Sequence, residues 1–284
     1  MLDNVIRILF VGDIVGSSGI RVIRNTVPGL KKDRTIDLCI VNGENAANGL
    51  GITGPLAQKL YRCGVDCITL GNHTWSKWEI AKWIEQDLRM ARPANGHVNW
   101  PGRGFVLLEH EGVKIGVLNL LGNVFLNAPS AAFSEAEHMV DFLRDAHGAR
   151  IILVDFHAEA TSEKQAMGHY LDGKVTAVIG THTHVQTSDE RLLPRGTAYI
   201  TDVGMCGAVN GVIGMTLNSS LRRFVECLPS RYEPAKGTAS MNAVLLSIDK
   251  ESGEALSIER YNVQESENMH KPEQTLDGSE SNNS

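Results

Sequence analysis

The first hundred residues alternate between short apolar runs and longer amphipathic stretches. The apolar runs predict buried strands over residues 6–12, 36–42 and 65–72. After each run, apolar residues recur at helical spacing, which predicts three helices; the second has Gly64 as its C-cap, and the third covers residues 75–86. Strands and helices that alternate in this way are typical of parallel βαβ units, so this half is predicted to be α/β.

The pattern changes in the middle of the chain. Residues 104–122 predict a β-hairpin that turns at Glu111-Gly112. Residues 134–148 predict a helix that opens with Ser134 as N-cap and a glutamate at N3. Further apolar runs predict four more strands, at residues 149–160, 175–184, 196–204 and 242–249. This strand count favours a two-sheet sandwich flanked by helices.

The ends of the chain differ in composition from its body. No internal repeat or linker interrupts residues 1–264, so we expect a single domain there. Residues 265–284 are polar and rich in Ser, Asn and Glu, which predicts a disordered tail.

Composition narrows the class of protein without naming a function. The chain has 284 residues, of which 42% are hydrophobic and 21% charged, as in ordinary soluble proteins. A net charge of −6 disfavours an extended nucleic-acid-binding face. No apolar run has transmembrane length and the N-terminus lacks signal-peptide features, so we predict a cytoplasmic protein without a membrane partner. The five cysteines lack zinc-site spacing and are expected to be reduced.

Several predicted strands end in polar groups that are able to bind a metal ion. These groups are Asp13, Glu44, Asn45, Asn72, His73, His157, His182 and His184. Taken alone, each has an ordinary explanation: Asp13 is suited to cap a helix, and His157 to be a hydrogen-bonded core histidine. Ligands collect at the carboxyl ends of strands in α/β sheets, however, so these residues are expected to meet at one edge.

The joint pattern favours a metal centre. If the strand at 175–184 continues through His182 and His184, their imidazoles share one face. A mixed nitrogen and oxygen set without thiolate suits Mn, Fe or Zn. One Asp, one Glu, two Asn and three His give seven ligands, which are too many for one tetrahedral zinc but suffice for two ions that share a carboxylate. Two ions about 3.5–4 Å apart can hold a hydroxide and clamp both oxygens of an in-line displacement at phosphorus.

The motifs also resemble a known family. GDIVG, NGENAANGLGIT, LGNHTW, DFHAEATSEK, GTHTHVQT and TDVGMCG…VIGM, in that order, resemble the YmdB-like family of bacterial metallophosphoesterases, within the calcineurin-like superfamily. The match runs from about residue 6 to residue 262. The resemblance implies a four-layer αββα sandwich with two mixed sheets, a dinuclear metal centre, and hydrolysis of phosphodiesters that include 2′,3′-cyclic nucleotides.

The resemblance also implies roles for individual residues. It places His73 beside the phosphate, as general acid or charge stabiliser, and makes Glu44 the bridge between the metals. The implied ligands are Asp13, Glu44, Asn45 and His184 for one metal, and Asn72, His157 and His182 for the other. Val15 stands where the wider superfamily has a histidine, and Thr74 where it has a carboxylate after GNH. Both departures are shared with the YmdB-like pattern. The amide oxygen of Asn45 is a candidate for the coordination position left open where Val15 stands in place of that histidine.

The leading functional hypothesis is a phosphodiesterase in which a metal-bridging hydroxide attacks phosphorus. Its cofactors are two divalent or mixed-valence ions, Fe, Mn or Zn, and its substrate is a small nucleotide or the phosphodiester at an RNA end. A phosphomonoesterase or nucleotidase on the same centre is one alternative. A slow-turnover regulatory protein that binds nucleotide or RNA is another. The sequence singles out no substrate-binding residues and leaves homo-oligomerisation open.

Overall fold

The computed structural model describes residues 4–33 and 35–265, so the predicted tail, residues 265–284, lies outside the described residues except for Glu265. Glu265 itself is buried and pairs with Arg21 at 2.7 Å, so it does not belong to a disordered tail. The strands, β1 to β14 in order, are Val5–Val11, Asp13–Ile14, Leu38–Asn42, Cys67–Thr69, Met90–Ala91, Phe105–His110, Val113–Leu121, Ile151–His157, Ala177–Thr181, Arg191–Leu192, Ala198–Ile200, Met205–Ala208, Ala239–Asp249 and Ala255–Gln264. The helices, α1 to α6, are Gly16–Lys32, Gly54–Arg62, Ile80–Ile84, Ala132–Asp141, Thr161–Leu171 and Leu217–Phe224. A short π-helix, Phe142–Ala146, continues α4.

The strands form two mixed sheets. The first sheet has the order β2-β12-β13-β1-β3-β4-β5, with β14 paired to β13. In it β1, β3, β4 and β5 run parallel, whereas β13 is antiparallel to its neighbours. The second sheet has the order β10-β11-β9-β8-β7-β6, with β7, β8, β9 and β11 parallel. The carboxyl ends of the parallel strands therefore provide one edge of each sheet for a site.

Three apolar layers hold the sheets and helices together. The side chains of β1 show how they arise: Ile8 and Phe10 lie in the core between the two sheets, while Leu9 and Val11 lie in the core under α1 and α2. Because side chains alternate along a strand, a strand that is covered on both faces must be apolar at every position. A third core packs the second sheet against α4 and α5. The layer order is αββα, so the predicted fold class is confirmed.

Of the local elements expected from the sequence, one turn is confirmed, one helix is shorter than expected, and one strand was not predicted. The hairpin turn at Glu111-Gly112 is confirmed, with φ of 47° and 78° at the two residues. The helix predicted over 75–86 is wrong in extent, because only Ile80–Ile84 is α-helical. Strand β14 was not predicted; only a minority of its positions is buried, so its apolar signal is weak.

The N-terminus of α4 corrects another expectation. The helix begins at Ala132, so Ser134 lies inside its first turn and is not the N-cap. Its hydroxyl donates to the Ala131 carbonyl at 3.3 Å. The free amide of Ala132 is instead capped by Asn123 Oδ1 at 2.9 Å, across nine residues of loop.

Two expectations about the whole chain can be compared with the described residues. All five cysteines are free, and four of them are buried, as expected of reduced structural thiols; Cys227 is exposed. Within residues 4–33 and 35–265, no helix is both long enough and apolar enough to cross a membrane. The single-domain assignment and the cytoplasmic location stay predictions.

Candidate metal centre

The site lies where the carboxyl ends of both sheets meet. The first sheet contributes the residues that follow β1, β3 and β4, and the second contributes the end of β8 and the loop after β9. The structure brings together all eight residues predicted from the sequence, namely Asp13, Glu44, Asn45, Asn72, His73, His157, His182 and His184. The structure therefore confirms that the polar residues at these strand ends lie close together.

Three ligand-type atoms surround the Nε2 atom of His157. Glu44 Oε1 lies 3.1 Å from it, Asn72 Oδ1 lies 2.9 Å from it, and His182 Nδ1 lies 3.0 Å from it. The ligand atoms of Glu44, His157 and His182 all lie within 4.8 Å of one another, and the first two residues are fully buried. A carboxylate, an amide oxygen and two imidazoles at this spacing are a donor set suited to a divalent cation.

The orientation of His157 follows from the groups behind it. Its Nδ1 lies 2.9 Å from Thr181 Oγ1, and that hydroxyl donates its only proton to Asp155 Oδ1 at 2.6 Å. Thr181 therefore accepts from Nδ1–H of His157, which leaves Nε2 as the ring nitrogen that faces Glu44 and could bind a metal ion. Such a hydrogen bond to the second ring nitrogen is the usual support of a metal-binding histidine.

A second group lies on the other side of Glu44. Asp13 Oδ1 is buried without a hydrogen-bond partner, 3.9 Å from His184 Nε2. Asn45 Nδ2 lies 3.2 Å from the same His184 nitrogen and 3.3 Å from Glu44 Oε1. A buried carboxylate oxygen without a partner is costly. The cost is removed if a cation binds there, so the residues present fit a metal ion.

His182 and His184 reach the site in a way that the sequence did not predict. Strand β9 ends at Thr181, so the expected strand through residue 184 is wrong. The two histidines lie on a loop with φ of 101° and 67°, a region that non-glycine residues rarely adopt. Both imidazoles still face the cluster, but they do so through a strained loop and not through the shared face of a strand.

That loop is anchored from behind. The amide of His182 donates to Asp13 Oδ2 at 3.1 Å, and the amide of Thr183 donates to Asp202 Oδ2 at 3.0 Å. Asp202 also pairs with Lys164 Nζ at 2.6 Å, and both side chains are 1% exposed. The Ile213 carbonyl lies 3.0 Å from His184 Nδ1, which directs His184 Nε2 towards Asp13 and Asn45.

His73 lies at the rim of the cluster. Its backbone amide donates to Glu44 Oε2 at 2.9 Å, so both oxygens of that carboxylate face the site. Its Nδ1 lies 3.4 Å from Ser76 Oγ. Thr74 is buried and donates to the Gly71 carbonyl at 2.6 Å, so its side chain does not act on the His73 ring.

Gly71 leaves the space that the cluster needs. A Cβ atom at this position would lie 2.4 Å from Glu44 Oε2 and 2.4 Å from His157 Nε2. No side chain fits at such distances, so the site requires glycine at position 71.

Charge and burial together set the protonation of the cluster. Burial lowers the pKa of His157, but the Glu44 carboxylate, with Asp13 and Asp155, outweighs burial and raises the pKa to about 9. Burial raises the pKa of Glu44, yet the charge of His157 lowers that pKa to about 2. Burial raises the pKa of Asp13. For His182, burial and the charge of His157 lower the pKa to about 3. The buried carboxylates thus stabilise a positive charge at the centre of the cluster.

Comparisons with known proteins show the family of this chain. Residues 9–261 match the family described as YmdB-like protein. The chain belongs to the YmdB-like family. A 2′,3′-cyclic-nucleotide 2′-phosphodiesterase of Bacillus subtilis is 44% identical over 254 residues, which cover 89% of this chain and 96% of that protein.

Two solved structures are similar to this YmdB-like chain. A crystal structure of a hypothetical protein from Thermus thermophilus has a TM-score of 0.86 and 38% identity, and covers 92% of this chain and 100% of that one. A structure titled as a novel phosphatase from Mycoplasma pneumoniae has a TM-score of 0.85 and 36% identity, with 92% and 94% covered. Both likenesses extend over nearly the whole chain.

Three residues near the site of this YmdB-like chain were not predicted from the sequence. Glu159 Oε2 lies 3.0 Å from His182 Nε2, and Lys164 and Asp202 form the buried pair behind the loop. All three fall in motifs that carry the resemblance, but a lone acid or lysine there gives no sign of its partner. Only the folded chain brings Lys164 within reach of Asp202.

The cluster opens into a pocket of about 380 Å³. Its polar lining residues include Glu44, His73 and His182. Its apolar lining residues are Leu50, Ile213, Met215 and Tyr232, which we call the apolar wall. Pockets of this size with a few polar groups against apolar walls are typical of small-molecule sites.

Proposed function

We propose that this YmdB-like chain is a metal-dependent phosphodiesterase that hydrolyses 2′,3′-cyclic nucleotides or related phosphodiesters, such as those at RNA ends. The observation that carries the proposal is the convergence of Glu44, Asn72 and His182 on His157 Nε2, with Asp13 Oδ1 buried and unpartnered beside them. The activity named for the Bacillus subtilis relative supports the choice of substrate.

The proposal assigns two divalent ions, Fe, Mn or Zn, to the two groups of ligands. Glu44 has its two oxygens facing different neighbours, which suits a bridging carboxylate. The proposed ligands are Asp13, Glu44, Asn45 and His184 for one ion, and Glu44, Asn72, His157 and His182 for the other. Bound ions of this kind supply a nucleophile at neutral pH and stabilise charge on phosphate oxygens.

Asn45 needs one adjustment to act as a ligand. Its nitrogen, Nδ2, faces Glu44 and His184, whereas a cation requires the oxygen. Rotation of the amide by half a turn exchanges two groups of nearly the same size. Val15 does not compete for this place, because it packs close to Gly207 and Gly214.

The remaining residues position the reacting groups. Thr181 and Asp155 orient His157 so that its Nε2 faces the site, and Glu159 accepts from Nε2–H of His182, so that Nδ1 of His182 faces the site. His73, at the pocket rim, is proposed to give a proton to the leaving oxygen or to stabilise its charge. A mononucleotide-sized substrate is consistent with the volume of the pocket.

The proposal is tested with three esters: 2′,3′-cyclic AMP, bis-p-nitrophenyl phosphate and p-nitrophenyl phosphate, each with added Mn²⁺. We expect the wild type to cleave both diesters, Glu44→Ala to cleave neither, and the exposed control His169→Ala to match the wild type. Cleavage of the monoester alone would identify a phosphomonoesterase. Nucleotide binding without cleavage of any ester would identify a regulatory binding protein.

A further inference from the structure

We propose that the apolar wall binds the base of the substrate, and that Ile213 is the residue that determines how tightly the base is bound. The inference rests on the proposed function, because it names the part of a nucleotide that lies away from the metal centre. Leu50 and Ile213 are 42% and 48% exposed although both face a concave pocket. Large apolar side chains left open in such a place are typical of a ligand contact.

The backbone of Ile213 shows an unusual conformation. Ile213 and Gly214 have φ of 47° and 85°, and Val212 and Met215 exchange both backbone hydrogen bonds at 2.9 Å. This is a two-residue turn with positive φ at both central positions, for which Asn-Gly is the favoured pair. A β-branched residue in the first position is strained, because its side chain crowds the backbone.

Other turns of the same chain follow the expected preference. Positive φ at two successive residues also occurs at Asn48-Gly49 and at Glu111-Gly112, where the first residue is unbranched and polar. Among the non-glycine residues with positive φ in the described part of the chain, Ile213 is the only β-branched one. Backbone strain of this kind is concentrated at functional sites.

The turn itself does not require isoleucine. What the turn supplies to the metal centre is the Ile213 carbonyl, which accepts from His184, and any residue has that group. What is particular to residue 213 is the branched apolar side chain, in a residue that lines the pocket and is 48% exposed. The strain is therefore explained by a contact that the side chain makes with the substrate.

The chemistry of the wall indicates which part of the substrate it contacts. Leu50, Ile213 and Met215 provide aliphatic surface, and Tyr232 provides an aromatic ring with the Arg223 guanidinium 5.0 Å from its centroid. Flat aromatic groups such as nucleobases stack on surfaces of this kind whichever base they are. The phosphate end of the nucleotide then faces the carboxylates and imidazoles of the pocket lining.

The test separates the base from the phosphate. Two esters are compared, 2′,3′-cyclic AMP and 1-deoxyribose 2′,3′-cyclic phosphate, which lacks the base. For Ile213→Asn we expect KM for the first ester to rise about tenfold, since one branched apolar contact is lost. KM for the base-free ester, kcat, and the metal content are expected to stay unchanged, because asparagine keeps the turn and the carbonyl.

Two further measurements keep the inference falsifiable. The matched control Glu111→Asn places asparagine in a turn of the same kind, remote from the pocket, and should leave every KM unchanged. Calorimetry with adenosine, which has no phosphate, should detect binding to the wild type that Ile213→Asn weakens about tenfold. Tyr232→Leu should also weaken the binding of adenosine.

The outcomes distinguish this inference from the proposed function. Equal KM for the two esters in the wild type, or no adenosine binding, would overturn the base-binding wall while leaving the phosphodiesterase intact. A loss of metal or of kcat in Ile213→Asn would show that residue 213 acts only through His184, which also overturns it. If the wild type cleaves neither ester, the proposed function fails, and adenosine binding still decides the role of the wall.

Discussion

The two sides of the metal centre are built by different means. The first sheet supplies Glu44, Asn45 and Asn72 within a few residues of strand ends, and the Glu44 carboxylate is held by the amide of His73, which follows the neighbouring strand β4 of the same sheet. The second sheet supplies His182 and His184 from a strained loop, which Asp13, Asp202 and Ile213 hold by hydrogen bonds across 19 to 169 residues of sequence. The oxygen side, which is Glu44, Asn45 and Asn72, thus lies directly after strands of one sheet, whereas the histidine side, which is His182 and His184, depends on a strained loop held by residues from other parts of the fold.

The largest effect should come from the oxygen side. Glu44→Ala removes the carboxylate that both groups of ligands share, so we expect kcat/KM for 2′,3′-cyclic AMP to fall by about 10³-fold or more, as several kcal/mol of charge stabilisation is lost. Steady-state kinetics measures this. Glu44→Gln keeps the shape and should be nearly as inactive; substantial activity in either variant would show that the sides do not share a bridging group.

His73 tests whether the oxygen side also supplies the proton. His73→Ala should lower kcat on 2′,3′-cyclic AMP by about 10²- to 10⁴-fold, because an alkoxide leaves poorly without an acid. With bis-p-nitrophenyl phosphate the loss should be much smaller, since p-nitrophenolate leaves without protonation. Metal content should not change. An equal loss on both esters would assign His73 to a role other than general acid.

The support of the histidine side is tested by breaking the buried ion pair between Lys164 and Asp202. Lys164→Met leaves the Asp202 carboxylate buried and unpaired, so the free energy of unfolding should fall by about 3–5 kcal/mol. The double variant Lys164→Met, Asp202→Asn should lose less than the sum of the single changes. Urea denaturation measures both. As a control, Lys174→Met breaks the exposed pair with Glu137 and should cost about 0–1 kcal/mol.

Glu159 should give the smallest effect, because it is 48% exposed and acts only through His182. Glu159→Ala removes the acceptor for His182 Nε2–H, and we expect metal affinity to fall about tenfold. Glu159→Gln keeps an acceptor oxygen and should lie between this variant and the wild type. Metal titration followed by calorimetry measures the change, and an unchanged affinity would show that the loop alone orients His182.

The difference between the two sides also explains what the sequence could predict. The apolar runs and the polar residues at their ends predicted the α/β layers and the eight residues that the fold brings together, since strand burial and strand termini are local features. The strand expected through residue 184 was wrong because the contacts of Asp202 with Thr183 and of Ile213 with His184 overrule local preference. Likewise the capping of Ala132 by Asn123, and the pairing of Lys164 with Asp202, join distant parts of the chain.

The most direct test of the account is the metal content of the protein at saturation, measured by mass spectrometry after dialysis against Mn²⁺. We predict two ions per chain for the wild type, one for Asn45→Ala and none for Glu44→Ala, because Glu44 is proposed to bridge both ions and Asn45 to bind only one. Fewer than two ions in the wild type, or two ions retained by Glu44→Ala, would contradict the shared dinuclear centre.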